Sequence, residues 1–327
     1  MNYRGFGSTG LELSEICFGT WRYASPSGTA DAQSASGGRA LRQALDAGIN
    51  CIHSSHEYGT RWLTGEVLKD HPRRHDLHHI IKVNEPDFGE AGFDRARYRL
   101  QIERALEELH AERIAVVQHL QRGSARKATV YSDHDNAVRV SEFDRDLDAF
   151  AEESEQLKRE GKIAAVAGFP YTVGFASHAI QSGVYDGIVT YFNLLETEWL
   201  ELFPEIESRG MGVIGIRPLC AGLLTDKRVD RDSLPGDDRL ADPAWDGKYR
   251  QLAALRGQLG LAPASWSRFA IAASLAHPLV ACTTLSINNE TQLGDALAAA
   301  DGAYPTVEEL GRIHAINRQI WRTQHDS

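Results

Sequence analysis

After residue 10 the chain repeats one alternation: a short apolar run, then a longer segment with apolar residues at helical spacing. The short runs cover 15–18, 50–53, 79–83, 114–119, 163–167, 187–191, 212–216 and 280–285. Runs of this length bounded by turn residues predict eight strands. Segments 36–47, 63–69, 93–109, 144–160, 175–182, 196–209 and 263–276 predict helices between them, the last opening on Pro263 at a position where a first turn tolerates proline. Strands separated by helices pair in parallel, because a parallel crossover needs a dozen or more residues. Eight such units close into a barrel or spread as an open, doubly wound sheet. No strand–GxGxxG–helix fingerprint stands near the start, which counts against the open dinucleotide-binding sheet. A (β/α)8 TIM barrel is the favoured fold, with residues 1–327 as one domain, a size such barrels reach.

Two segments sharpen that expectation. Residues 1–12, punctuated by Gly5, Gly7 and Gly10, predict a small β-hairpin that caps the barrel bottom. Residues 123–143 and 227–245 are polar, turn-rich and placed after predicted strands, so they predict long βα loops at the catalytic face.

Charge and cysteine usage narrow the partners. With 35 Lys and Arg against 45 Asp and Glu, the net charge is −10, which leaves no basic footprint for nucleic acid or an acidic membrane surface. No run approaches the 18 apolar residues of a membrane span, and the opening residues do not read as a leader, so a cytoplasmic protein with a small-molecule substrate is expected. Cys17, Cys51, Cys220 and Cys282 lie far apart in apolar runs and predict buried free thiols. His53, His56 and Glu57, and a second group at His71, His75, His78 and His79, match no recognised ligand spacing, so no metal is expected.

In this fold chemistry sits at the C-terminal ends of the strands. The second predicted strand ends in His53-Ser-Ser-His-Glu-Tyr58-Gly59, the third contains Lys82, and the fourth runs into Gln118-His119-Leu120-Gln121. A lysine late in an apolar strand is costly unless paired or functional; a barrel-top salt bridge is its structural explanation. For His119 the structural alternative is a core histidine satisfied by backbone.

These residues, in this order, resemble the aldo-keto reductase superfamily. The resemblance runs from YRGFGSTGLELSEICFGTW, similar to the family's opening hairpin and first strand, through AGINCIHSSHEYG at strand two, to GKIAAV, YFNLLE, RGMGVIGIRPLCAGLLTDK and TTLSINNETQL. The GFP after strand five and the TTL of the last strand are closest to the L-galactose and aldose 1-dehydrogenase branch. The resemblance implies hydride transfer between NAD or NADP and a polar carbonyl or sugar-like alcohol. It makes Tyr58 the acid or base, Lys82 the cation that tunes it, and His119 the group that orients the carbonyl oxygen. It implies cofactor contacts at Gly19, Thr20, Asn193, Arg217, Leu219, Gly222, Ser286, Asn288 and Gln292. A phenol near pKa 10 is a weak acid, and a neighbouring ammonium helps it by favouring phenolate.

Departures from the family pattern are as informative. The aspartate that pairs with the lysine is His53 here. Val189 replaces a glutamine that holds the carboxamide, Ile216 replaces a stacking aromatic, and Asn288 stands where an arginine would clamp a 2′-phosphate, which removes the main reason to prefer NADP. Two other readings of the same pocket remain open on the sequence: a redox-neutral dehydratase, epimerase or isomerase using Tyr58, Lys82 and His119 without nicotinamide, and a non-catalytic barrel.

Overall fold

In the computed structural model, residues 1–21, 23, 32–124 and 136–325 are described. Eight parallel strands close into a barrel in the order β10-β3-β4-β5-β6-β7-β8-β9. They are β3 (Ile16–Gly19), β4 (Cys51–Ser55), β5 (His78–Asn84), β6 (Ile114–Leu120), β7 (Ile163–Gly168), β8 (Gly187–Tyr191), β9 (Gly212–Ile216) and β10 (Val280–Ser286). Each matches a run expected from sequence to within two residues.

Around the barrel lie α1 (Ala32–Asp46), α2 (Arg61–Leu68), α3 (Arg95–Leu109), α4 (Asn136–Arg159), α5 (Val173–Gln181), α6 (Phe203–Ser208), α7 (Asp246–Leu259), α8 (Trp266–Ser274), α9 (Glu290–Ala300) and α10 (Val307–His325). Three helix expectations need correction. The loop expected over 123–143 is shorter, because α4 already begins at Asn136; residues 125–135 lie outside the described residues. The segment 196–209 is not one helix: a 3-10 turn at Glu198–Glu201 precedes α6, where Pro204 sits in the first turn, short of the hydrogen bonds it could not donate. Helix α8 starts at Trp266, after Pro263, because Ser265 caps it by accepting from Arg268 N. Helices α7, α9 and α10 fall outside the seven expected segments. The loop over 227–245 holds, as short 3-10 turns rather than helix.

Side chains alternate along the strands between two cores. Cys17, Cys51, Ile80, Val116, Val189, Ile214 and Cys282 fill the barrel. Ile16, Phe18 and Ile52 face α1 and α9, while Ile81, Val83, Val117 and Val166 face α3, α4 and α5. The floor is closed as expected by β1 (Tyr3–Gly5) and β2 (Glu12–Ser14), an antiparallel hairpin in which Phe6, directly after β1, is fully buried. Its ring lies where a Cβ on Gly187 or Gly212 would be, so both glycines are required for that close approach. Arg4 anchors the hairpin, donating from Nε to Glu15 Oε1 at 2.7 Å and from Nη1 to the carbonyls of Leu275, His277 and Val280 at 2.9–3.1 Å. No helix of the described residues is long and apolar enough to cross a membrane.

Candidate active site

At the C-terminal ends of the strands opens a cavity of about 530 Å³. His53 from β4, Lys82 from β5 and Leu120 from β6 form part of its wall, with Tyr58 from the turn after β4. That turn is a short 3-10 segment, His56–Tyr58, capped by Ser55 Oγ, which accepts from Glu57 N at 3.2 Å. It leaves Tyr58 half-buried at the mouth, with Lys82 Nζ 5.2 Å from the centre of its ring.

Lys82 has no carboxylate within ion-pair distance among the described residues. The barrel-top salt bridge is therefore absent, and the ammonium faces Tyr58 and the cavity. His53 does not supply the missing charge. Burial first, and the nearby Lys82 cation second, push its pKa down to about 3 against a favourable bond to Gln118. As a neutral ring it donates from Nε2 to Gln118 Oε1 at 2.7 Å.

His119 corrects the sequence expectation. It faces away from the cavity, stacked on Phe150 with ring centres 4.2 Å apart. Its Nε2 donates to the Glu85 carbonyl at 2.6 Å and its Nδ1 accepts from the Tyr185 hydroxyl at 2.8 Å. Burial holds its pKa down to about 4, although the Glu85 carbonyl and Asp146 act the other way. Both nitrogens are satisfied, so it is the core histidine of the alternative reading. The inward positions at the C-terminal end of β6 are Gln118, beside His53, and Leu120, on the cavity wall.

Of the expected cofactor contacts, Gly19, Arg217, Leu219, Gly222 and Ser286 line the same cavity. Four do not. Thr20 is buried, donating from its hydroxyl to the His53 carbonyl at 3.1 Å. Asn193 is buried, donating to Glu196 Oε2 and to the Arg217 carbonyl at 3.0 Å. Asn288 N donates to Gln292 Oε1 at 2.8 Å at the start of α9, outside the cavity wall.

The residues present nevertheless fit an anionic dinucleotide. Arg217 stands in the left-handed region, as do Cys220, Ala221 and Gly222. This tight turn presents Gly222 with φ +93°, where a Cβ would lie 3.6 Å from Arg228 Nη1 and 3.7 Å from Arg239 Nη2. A side chain there would occupy the space beside two guanidinium groups, with a third, that of Arg217, on the cavity wall and 4.8 Å from the Tyr191 ring. Arg228 pairs with Asp238 at 2.7 Å and Arg217 with Glu196 at 3.3 Å, so these guanidinium groups would offer phosphate oxygens their remaining donors.

Sequence reasoning missed Arg122. It donates to both carboxylate oxygens of Glu57 at 2.9 and 3.1 Å, to Asp87 Oδ1 at 2.9 Å and to the Tyr171 hydroxyl at 3.1 Å, and packs on the Phe88 ring at 4.4 Å. Burial raises the pKa of Glu57, but the bond to Arg122 and its charge prevail and hold it below the usual value. One guanidinium thereby ties together the ends of β4, β5 and β7 beside Tyr58. The signal was a lone arginine two residues past the fourth strand, just beyond the segment read for its histidine.

This barrel belongs to a known class. The aldo/keto reductase family model matches residues 15–318, and the chain belongs to that family of oxidoreductases. L-galactose dehydrogenase of Arabidopsis thaliana is 27% identical over 238 residues, 68% of this chain and 67% of that protein, in keeping with the branch the strand motifs resemble. Aldo-keto reductase YhdN of Bacillus subtilis is 26% identical over 259 residues, 75% of this chain and 70% of that protein. Among solved structures, aldo-keto reductase AKR11C1 from Bacillus halodurans in its holo form shares the fold with a TM-score of 0.72 at 20% identity, covering 97% of this chain and 96% of that one.

Proposed function

We propose that the protein transfers hydride between NAD(H) or NADP(H) and a polar carbonyl or sugar-like alcohol, with Tyr58 as the proton donor in reduction. The observation that carries this reading is the Tyr58–Lys82 pair, set in a cavity whose far wall suits a dinucleotide. The nicotinamide, when bound, supplies or accepts the hydride. The protein's part is positional and electrostatic. Arg217 and the turn at Leu219–Gly222 would hold the dinucleotide's phosphates. Lys82 stabilises the phenolate that remains when Tyr58 gives up its proton. Since β6 presents Leu120 to the cavity, the donors for the substrate oxygen are Tyr58 and Lys82 alone among the residues this reading employs. Asn288 in place of a clamping arginine favours NAD(H) at least equally with NADP(H). A cytoplasmic, reducing setting accords with four free thiols.

The test joins binding to turnover. Trp21 and Trp245 line the cavity, so their fluorescence should change as NADH or NADPH is added, and the two dissociation constants are compared at one salt concentration. Tyr58→Phe should then lower the rate on aldose or small aldehyde substrates by roughly 10²–10⁴-fold with Tm unchanged. More than about a tenth of the rate surviving in that variant would remove Tyr58 from its role. Failure of both nucleotides to bind would remove the nicotinamide.

A further inference from the structure

At the opposite end of the barrel from Tyr58, three cysteines distant in sequence converge. Cys17, Cys51 and Cys282 come from the adjacent strands β3, β4 and β10, and Cys17 and Cys51 are direct partners in the β3–β4 register. Their Sγ atoms lie within 4.8 Å of one another, all three residues are fully buried, and none is in a disulfide. Among the described residues this is the one convergent set of potential metal ligands; neither histidine group forms one. We propose that these three thiols form a site for one soft monovalent metal ion, Cu(I), at the barrel floor.

Ligand type and charge select the ion. Sulfur ligands favour soft ions, and a site without imidazole or carboxylate lacks the donors that harder ions use. The three cysteines share an apolar core with Phe6, Leu11, Leu13, Ile80 and Ala281, with the Ser14 and Thr284 hydroxyls beside Cys51 and Cys17. A net charge in such a place is costly, so the bound complex must be close to neutral. A monovalent ion reaches neutrality with one thiolate and two thiols, whereas a divalent ion requires two thiolates. Cys51 is suited to be the thiolate. Its Sγ lies 3.3 Å from Ser14 Oγ, a hydroxyl that can donate to a sulfur anion. On binding, Cys51 loses its S–H proton to solvent and its sulfur bonds the ion. One proton is released per ion, and no oxidation state changes.

The experiment uses the whole reduced protein under anaerobic conditions, with Cu(I) delivered from a chelator and Ag(I) as a redox-inert probe. Native mass spectrometry should find one ion per chain. Tm should rise, because a ligand bound only by the folded state stabilises it. Near-UV circular dichroism should remain that of the folded protein. Cd(II) at the same concentration should be retained less. Cys51→Ala and, independently, Cys282→Ser should abolish both retention and the Tm rise, while Cys220→Ala, outside the cluster, should preserve them. The proposal is overturned if no ion is retained by the folded protein, if entry requires loss of the near-UV signal, or if retention survives Cys51→Ala and Cys282→Ser. In that case the cysteines serve as small apolar side chains filling the floor.

Discussion

His119 and Leu120 are neighbours on β6 that point to opposite sides of the barrel wall, and one residue of register separates a catalytic assignment from a structural one. The sequence held a histidine at a strand end; which face it takes depends on where the strand's alternation begins, and an all-apolar run conceals that. The two roles predict different losses. His119→Leu should leave the Tyr185 hydroxyl and the Glu85 carbonyl unpaired, costing about 1–3 kcal/mol in thermal or denaturant unfolding, with turnover near wild type. A loss of rate without loss of stability would return His119 to the site. Conversely, Leu120→His would place an imidazole on the cavity wall and should raise the rate of carbonyl reduction. His53→Asp tests the departure at the lysine's usual partner. A carboxylate beside Lys82 would secure its charge, so the variant is expected to keep or increase NAD(P)H-dependent reduction, read from the pH–rate profiles of the two proteins.

At the scale of elements, the strands were legible because each is a short apolar run between turn signals, while helix limits were set by features a periodicity does not carry. Ser265 decides where α8 begins, and Pro204 where α6 can. The start of α4 was hidden because its first turns, NAVRVSEF, follow directly on the polar, turn-rich stretch before them. The cavity's groups were legible one by one as polar residues at strand ends. The strut that holds them was not, since Arg122 bridges Glu57, Asp87 and Tyr171, which are distant in sequence. Its role leads to an expectation for Arg122→Gln. The Glu57 carboxylate would lose its bidentate partner, the turn bearing Tyr58 would shift, and turnover should fall by something on the order of a hundredfold while nucleotide affinity stays close to wild type. Equal falls in both would mean that the arginine binds ligand directly. At the barrel floor, Gly187→Ala should destabilise by about 1–3 kcal/mol, because the added methyl collides with Phe6, and substrate kinetics should be spared.

The whole molecule carries its buried histidines as an acid liability. His53, His79 and His119 have pKa values near 3, 4 and 4, each depressed first by burial, against an ordinary value of 6.5. Below pH 6.5 the unfolded chain binds protons that the folded chain refuses, so stability is full above that pH and falls as pH drops from about 6.5 toward 4. Denaturant midpoints measured across that window should fall steadily, and less so in His119→Leu once both curves are referred to their values at pH 7.5. Closure of the barrel has a consequence in time. Arg4 bonds carbonyls 271 to 276 residues away, and β3 finds one of its two neighbours only in β10. During synthesis, therefore, the first barrel strand waits with one row of amides and carbonyls unmatched until nearly the last helices emerge. A chain halted before residue 280 would expose two raw sheet edges, on β3 and β9, and would be prone to pairing with its copies instead of with itself.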